Sequence, residues 1–243
     1  ISAQAFNYIL FTRSPDQLLV LRQYRLYTTG DKNTRDLLEE IIAGDDMLQR
    51  YAAQAIVVYN FPESNILPSS LFSAELRNPV SSLIYGSAYH HFLFDEKVRD
   101  NDLHNIYSVS KDLHSLCREK FKGSQYWHLY TMMLLWPSGK SQGSITRVIF
   151  YNDKFVAACF RNGKLQLLQT FSYQTPEDAA YYLLLICKQF AIQQQEMVLN
   201  ISGLIDTQSA LYTELLKYFA HVIYEEVPDS YGTNGLLDEF PSH

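Results

Sequence analysis

The chain has no basic run. Its 20 Lys and Arg are scattered among 26 Asp and Glu, for a formal net charge of -6 over 243 residues. Phosphate backbones are held by clustered Lys and Arg, so RNA and DNA are not expected partners. Membrane insertion is not expected either. The apolar run Ala179–Cys187 is nine residues long and fenced by Asp178 and Lys188, well short of the roughly 20 residues that span a bilayer. Cys117, Cys159 and Cys187 are odd in number and form no C-x-x-C pair. They read as buried thiols in a reducing, cytoplasmic setting. Ile1–Ala5 carries no basic n-region and no cleavage-site pattern. A chain this long can bury enough surface to fold without disulfide or metal staples. Its 18 Tyr and 14 Phe are assigned first to that core and second to a partner surface.

The best-defined stretch is Gln169–Phe190, where an extended segment hands over to a helix at Thr175. Thr175 is a capping residue, Pro176 suits the first helical position, and Glu177 and Asp178 complement the positive helix end. Every residue from Ala179 to Cys187 is apolar, so the helix is expected to be covered nearly all round.

Phe6–Thr12 and Gln17–Tyr27 flank the turn cluster Arg13–Asp16 and predict a hairpin. Asp31–Asn33 offers caps for a helix carrying Leu37, Leu38, Ile41 and Ile42, with Gly44 at its end. Ala52–Tyr59 reads as a strand, and Phe61–Phe72 as a punctuated segment with one helical turn. Val80–Phe94 fits two strands or a strand and a helix, and periodicity leaves both open. His104–Val109 reads as a strand before a helix capped by Ser110, and Tyr126–Leu135 as an apolar segment. Trp136–Ser144, W-P-S-G-K-S-Q-G-S, is linker-like. It divides a first lobe, 1–140, with an inserted or extended region at about 76–100, from a second lobe, 141–243. In the second lobe Ile145–Tyr151, Lys154–Arg161 and Lys164–Tyr173 are joined by Asn152-Asp153 and Asn162-Gly163, the residue pairs of two-residue hairpin turns. The capped helix, a strand at Glu196–Ile201, a helix from about Thr207 and a strand at His221–Val227 follow.

Setting Ala5–Phe11 beside Lys154–Phe160 aligns the two halves in one order of strands and helices. The predicted fold is mixed α/β, with two similar lobes of βββαβα order and a ligand cleft between them. This order is similar to the duplicated, ribonuclease H-like architecture of the actin-like fold found in sugar kinases, Hsp70 chaperones and bacterial pilus-assembly ATPase-like proteins. More narrowly, Thr170–Leu184, Asn200–Asp206, Asn105–Leu113 and Ile66–Phe72 resemble the Bacteroidetes domain of unknown function 3822 family. The resemblance implies an actin-like fold in a bacterial protein, nearest in layout to cytoplasmic scaffolds of pilus and secretion systems.

An active actin-like ATPase is expected to carry D-x-G-type turns that bring backbone amides to phosphate and an Asp to Mg²⁺. The N-terminal turn here, Ile1–Ala5, has neither Gly nor an acid, and the second, Tyr151–Lys154, has Asp153 but no Gly. The candidate ligand-binding residues are therefore Asn152, Asp153 and Lys154 in that turn, with Ser202 and Gly203 after an apolar strand. Gly139-Lys140-Ser141 lacks the first Gly and the following helix of a P-loop and is rejected. Asn200-Ile201-Ser202 matches a glycosylation sequon but overlaps a predicted buried strand. No Ser or Cys sits in a nucleophile-elbow context near His104, His114 or His128.

The reading that follows is a degenerate actin-like protein, a binding or scaffold component that engages a protein partner without ATP turnover. No catalytic residue, metal ligand set or cofactor is assigned to it. The alternative is a nucleotide-binding actin-like ATPase or kinase-like switch taking ATP with Mg²⁺ at Asp153 or Asp16, with Ser202-Gly203 at the base. A third reading, a metal-dependent enzyme using His90, His91 and Asp95, needs a helix there, on which His91 and Asp95 would sit one turn apart; a strand would put His90 and His91 on opposite faces. Oligomeric state stays open.

Overall fold

The computed structural model describes residues 1–13, 16–27, 32–51, 55–86, 91–98, 102–135 and 143–225. Two compact units account for the chain, one of 1–8 with 22–136 and one of 9–21 with 137–243. The P-loop-like Gly139-Lys140-Ser141 and most of the linker-like stretch lie outside the described residues.

The chain opens with the paired strands β1 (Ala5–Arg13) and β2 (Asp16–Arg25), of which residues 5–8 and 22–25 belong to the first unit and the remainder to the second. Helix α1 (Thr34–Gly44) starts where predicted, with Asn33 Oδ1 accepting from the Asp36 amide at 3.1 Å. α2 (Asp46–Tyr51) leads to β3 (Ile56–Tyr59), then β4 (Ser64–Pro68) and two 3₁₀ turns, Ser69–Leu71 and Ala74–Leu76. The segment left open by periodicity resolves as helix α3 (Arg77–Tyr85) followed by strand β5 (His91–Val98). β6 (Leu103–Ser110), α4 (Lys111–Lys120), β7 (Gln125–His128) and α5 (Leu129–Leu135) complete the unit. Ser110 holds the cap position of α4, but its side chain makes no capping bond.

β3 and β7 pair in parallel from Ile56 opposite Gln125 to Tyr59 opposite His128. β4, β6 and β5 form a separate antiparallel sheet with β6 in the middle. The core gathers Leu38 and Ile42 of α1, Leu113, Leu116 and Cys117 of α4, Val57 and Tyr59 of β3, and Phe6. Asp45, 2% exposed, ties the hairpin to this core. Its Oδ1 caps α2 by accepting from the amides of Met47 (3.0 Å) and Leu48 (3.2 Å). Its Oδ2 accepts from Tyr24 (2.7 Å), Tyr8 (2.8 Å) and Arg22 (2.8 Å). Burial alone would raise the carboxyl pKa, but donation by Tyr24, Tyr8, the Leu48 amide and Arg22 holds it at about 2.

The second unit runs β8 (Ser144–Phe150), β9 (Lys154–Arg161), β10 (Lys164–Ser172), α6 (Pro176–Gln189), β11 (Met197–Gly203), α7 (Ala210–Leu216) and β12 (His221–Tyr224). Its sheet has the order β10-β9-β8-β11-β12, with β8, β11 and β12 parallel and β9 antiparallel to both neighbours. The predicted meander is present. Asn162 (φ 50°) and Gly163 (φ 74°) both take left-handed backbone, as the primed turn joining β9 to β10 requires. β9 is buried on both faces from Phe155 to Phe160.

At the start of α6, Thr175 Oγ1 accepts from the Asp178 amide (3.2 Å) and Asp178 Oδ2 accepts from the Thr175 amide (3.0 Å), a closed capping box. Coverage of this helix is narrower than predicted. Ala179, Ala180, Leu183, Ile186 and Cys187 form the buried stripe, whereas Tyr181 is 60% and Leu185 39% exposed. A helix against one sheet buries one face whatever its opposite face carries. The helix ends in a Schellman motif: the Ile192 amide donates to Cys187 O at 2.9 Å and the Ala191 amide to Lys188 O at 3.3 Å. The residue in the left-handed position is Ala191, φ 50°, where glycine is usual.

Two stability predictions follow from these contacts. Asp45→Asn should lose about 2 kcal/mol at neutral pH, because a buried charged acceptor with three side-chain donors is replaced by a neutral one. A carboxyl whose folded pKa is depressed stabilises fully above its unfolded pKa and loses that stabilisation as pH falls through the folded value. The gap between wild type and variant in urea titrations should therefore close between about pH 4 and about pH 2; a gap that stays constant over that range contradicts the assignment. Ala191→Gly should raise stability by about 0.5–1 kcal/mol in thermal unfolding, since the left-handed penalty of roughly 1–2 kcal/mol outweighs the entropy glycine costs.

Candidate functional site

In the second unit, β8 stops at the fully buried Phe150 and β9 begins at Lys154. The Tyr151 amide donates to Lys154 O at 2.8 Å, closing a turn whose central residues, Asn152 and Asp153, are exposed. Asn and Asp suit this position because their short polar side chains tolerate turn backbone. Tyr173 underpins the turn, with its amide on Asp153 O (3.0 Å) and its hydroxyl on Tyr151 O (2.6 Å). Burial raises the Tyr173 phenol pKa, and the Asp153 carboxylate adds to the effect. The Lys154 ammonium lies 5.7 Å from the centre of the Tyr151 ring.

The other predicted residues arrive at the same place. β8 and β11 are parallel, with Ser202 opposite Ile149 and Gly203 opposite Phe150. The turn 151–154 and the segment 202–204 thus meet at the carboxyl ends of adjacent parallel strands, where α/β sheets offer ligand sites. Gly203 has φ 88°, and a Cβ built there would stand 2.3 Å from Phe150 O. That oxygen accepts from the Leu204 amide at 2.8 Å. The requirement for glycine is therefore met by the sheet's own geometry.

The first unit carries a matching arrangement. The Ser2 amide donates to Ala5 O (2.9 Å), the Leu26 amide to Gln4 O (2.8 Å) and the Asn60 amide to Ile1 O (2.8 Å). These correspond to Tyr151 on Lys154, Tyr173 on Asp153 and Leu204 on Phe150. The N-terminal turn spends its donors on itself: Ser2 Oγ accepts from the amides of Ala5 (3.1 Å) and Gln4 (3.4 Å), and Ser2 is 6% exposed. Sequence reading noted the missing Gly and acid here but not this hydroxyl. Thr34 Oγ1 adds a long bond, 3.5 Å, to Ala3 O. Asn60, 7% exposed at the end of β3, leaves Oδ1 without a hydrogen-bond partner, able to accept from a hydroxyl or water.

The remaining candidates separate. Asp16 opens β2, and its side chain lies outside the described part, as does the whole of His90. His91 and Asp95 lie on strand β5, not on a helix. Four residues of strand set them about 13 Å apart along the chain, and each has its own partner: Ser108 Oγ for His91 (3.3 Å) and Arg77 for Asp95 (2.9 Å). Among the described residues no group of three or more His, Cys, Asp and Glu is arranged to hold a metal ion. Cys117, Cys159 and Cys187 are free and buried. Burial pushes the Cys117 and Cys187 thiols up to about 11, away from nucleophilic thiolate. Asn200 of the sequon lies within β11, between β8 and β12.

One polar cluster had no local sequence signal. Ser64 Oγ donates to Asn105 Oδ1 (2.6 Å) and lies 3.3 Å from His128 Nδ1; Asn105 Nδ2 donates to Thr131 Oγ1 (3.0 Å). His128 Nδ1 accepts from the Tyr130 amide (3.1 Å) while Nε2 donates to Phe61 O (3.0 Å), which fixes the neutral tautomer. Glu96 accepts from Tyr107 (2.6 Å) and the His128 amide (3.0 Å). Desolvation pushes His128 down to about 3. With His128 and Asn105 wholly buried, this Ser–His contact has no access to a substrate. It joins β4, β5 and β6 to β7 and α5.

Comparison with solved structures defines the class. A Bacteroides thetaiotaomicron protein with actin-like ATPase fold and unknown function is similar at 18% identity, covering 93% of this chain and 88% of that one, with a TM-score of 0.80. A chain of the PilM–PilN type IV pilus biogenesis complex is similar at 10% identity, covering 96% and 88%, with a TM-score of 0.63. The protein has the actin-like ATPase fold. It belongs to the family described as Protein of unknown function (DUF3822), whose model matches residues 1–222. No curated protein matches the chain. No described helix is long and apolar enough to cross a membrane.

Gly203→Ala tests the strand-end geometry. The left-handed backbone and the collision with Phe150 O should together cost at least about 2 kcal/mol in urea unfolding. A change within about 0.5 kcal/mol, the range of an ordinary surface substitution, would show that the two strand ends are not held this closely.

Proposed function

We propose that this protein is a degenerate member of the actin-like class that works by binding a protein partner, as a scaffold or assembly component, without turning over ATP. The observation that carries this reading is the Ser2 turn. Phosphate binding at such a turn needs amide donors free to point at the ligand, and here Ser2 Oγ takes the amides of Gln4 and Ala5. The matching turn has no glycine, and its carbonyls at Tyr151 and Asp153 are engaged by Tyr173. The three matched backbone bonds support descent of the two units from one duplicated element. A protein partner is supported by the similar chain solved within the PilM–PilN complex. A cytoplasmic location is part of the same reading, from the three buried free thiols.

A second reading, an actin-like nucleotide switch with atypical contacts, is favoured by the convergence of exposed Asp153 with Ser202-Gly203 at the ends of β8 and β11. Asp153 would hold Mg²⁺, with Asn152, Lys154, Ser202 and Gly203 lining the nucleotide. ATP with Mg²⁺ titrated into the protein, followed by calorimetry and thermal shift, separates the two. Saturation at 100 times the dissociation constant should stabilise a binder by roughly 2.7 kcal/mol. We expect no saturable heat and no shift. A clear shift that Asp153→Ala abolishes overturns the first reading in favour of the second.

A further inference from the structure

The segment 69–76 closes over two polar atoms of the first unit and pairs neither. It runs from the end of β4 to the start of α3 as the two 3₁₀ turns, and none of its residues is buried as a whole. Among the described residues it has two ties to the sheet beneath. The Ser69 amide donates to Asp102 O at 2.8 Å, and the Phe72 ring stacks on the His104 ring with 3.9 Å between centres and 10° between planes. The Phe72 amide donates within the segment, to Ser69 O at 3.2 Å. Beneath it, Leu67 of β4, His104 of β6 and Lys97 of β5 are cross-strand partners and share one face of the sheet. Ser69 Oγ and His104 Nδ1 are both shut off from solvent, and neither has a hydrogen-bond partner. A buried polar atom without a partner gives up its hydration and gains nothing in return. The arrangement that covers these two atoms therefore carries a penalty.

We propose that residues 69–76 form a lid over His104 that opens while the sheet beneath stays folded. Closure rests on the aromatic stack and one backbone bond. Against it stand the two unhydrated polar atoms, and lifting the segment returns both to water. Segments with few buried contacts are the ones that open locally, and this one has no buried side chain to withdraw from the core. Its ends are fixed, which confines the motion. Pro68 is paired with Leu103 at the end of β4, and its ring holds φ at -57°. At the other end Arg77 bonds Asp95 at 2.9 Å, and Tyr85, the last residue of α3, donates its hydroxyl to Ser64 O at 3.3 Å. The face that opening uncovers presents the Ser69 hydroxyl and the His104 imidazole beside Lys97. This inference goes beyond the functional reading above and does not depend on whether nucleotide binds.

Residue-resolved hydrogen exchange of the full chain is the test, followed at the amides of residues 69 and 72. The Ser108 amide, bonded to Glu63 O at 3.0 Å, is the reference within the same unit. Ser69→Ala keeps the backbone bond and deletes the unpaired hydroxyl; His104→Phe keeps a ring for Phe72 and deletes the unpaired nitrogen. Each should raise protection at residues 69 and 72 by about tenfold or more, the effect of relieving one unpaired buried group. Phe72→Ala removes the stack and should lower protection there by roughly fivefold or more. The Ser108 amide should be unchanged in all three variants. In an ordinary packed loop, by contrast, substitutions weaken protection or leave it alone. The proposal is overturned if Ser69→Ala or His104→Phe brings no gain, or if Phe72→Ala brings no loss. A Ser108 amide that follows the segment overturns it too, since the opening would then be unfolding of the sheet.

Discussion

The approach of β11 to the end of β8 sets the terms for the second unit. Phe150 O accepts from the Leu204 amide at 2.8 Å and fills the space a side chain at position 203 would need. This contact closes a parallel pair that runs from Met197 opposite Ser144 to Gly203 opposite Phe150. Parallel strands need a long crossover, and α6 supplies it by laying Ala179, Leu183 and Ile186 over the core side of the sheet. With β8 fixed in the middle, β9 has a partner on each edge and cover on both faces, which is why Phe155–Phe160 reads as unbroken apolar sequence rather than alternation. The turn 151–154 is then delivered beside 202–204 as a consequence of register.

Actin-like architecture offers several backbone donors for anions, and in this chain most of those near the candidate sites are satisfied from within. The N-terminus of α6 is closed by Thr175 and Asp178, and the carboxylate of Asp178 also accepts from the Gln174 amide at 3.0 Å. An incoming phosphate would have to displace a fixed negative charge there. At Ser2 the competitor is a hydroxyl held at 6% exposure. Both solutions stabilise the local fold, the capping box by pairing amides that the first helical turn leaves without partners and the Ser2 hydroxyl by pairing part-buried ones. They also remove the feature that makes such ends attractive to phosphate. Stability and anion affinity draw on the same amides, so gaining one here diminishes the other.

Local chemistry was legible in the sequence and long-range chemistry was not. Asn162-Gly163 and Asn152-Asp153 predicted the meander because turn geometry is decided by the residues in the turn. Thr175-Pro176-Glu177-Asp178 predicted the helix start for the same reason. The grouping of Asn152–Lys154 with Ser202-Gly203 could be anticipated from strand order, yet the reason residue 203 must be glycine lies 53 positions earlier, in the Phe150 carbonyl. Asp45 joins Tyr8, Arg22 and Tyr24 over separations of 21 to 37 residues, and nothing in its immediate neighbours announces it. The exposed face of α6 was hidden because an all-apolar run has no polar residue to mark the outer side. Val80–Phe94 stayed ambiguous because α3 points apolar residues outward, which defeats the rule that apolar periodicity marks the core.

The three-stranded sheet and α3 show how polar and apolar chemistry divide the work. β4, β5 and β6 meet β7 and α5 through Ser64, Glu96, Asn105, Tyr107, His128 and Thr131. Hydrogen bonds between buried groups are directional and expensive to leave half-made, so this junction admits few orientations, whereas an apolar contact of the same size would tolerate sliding. Desolvation raises the pKa of Glu96 and lowers that of His128; the imidazole stays neutral over the physiological range, and the carboxylate keeps its acceptor role while ionised. The sheet is thereby held in one attitude, and α3, which contributes only Ser81 to burial, is held with it. A surface kept rigid by the fold beneath it loses little further freedom when it is covered. The outward Leu83 and Ile84 of α3 are therefore presented on a fixed frame, and the unit secures that frame with polar bonds instead of the apolar residues it leaves in solvent.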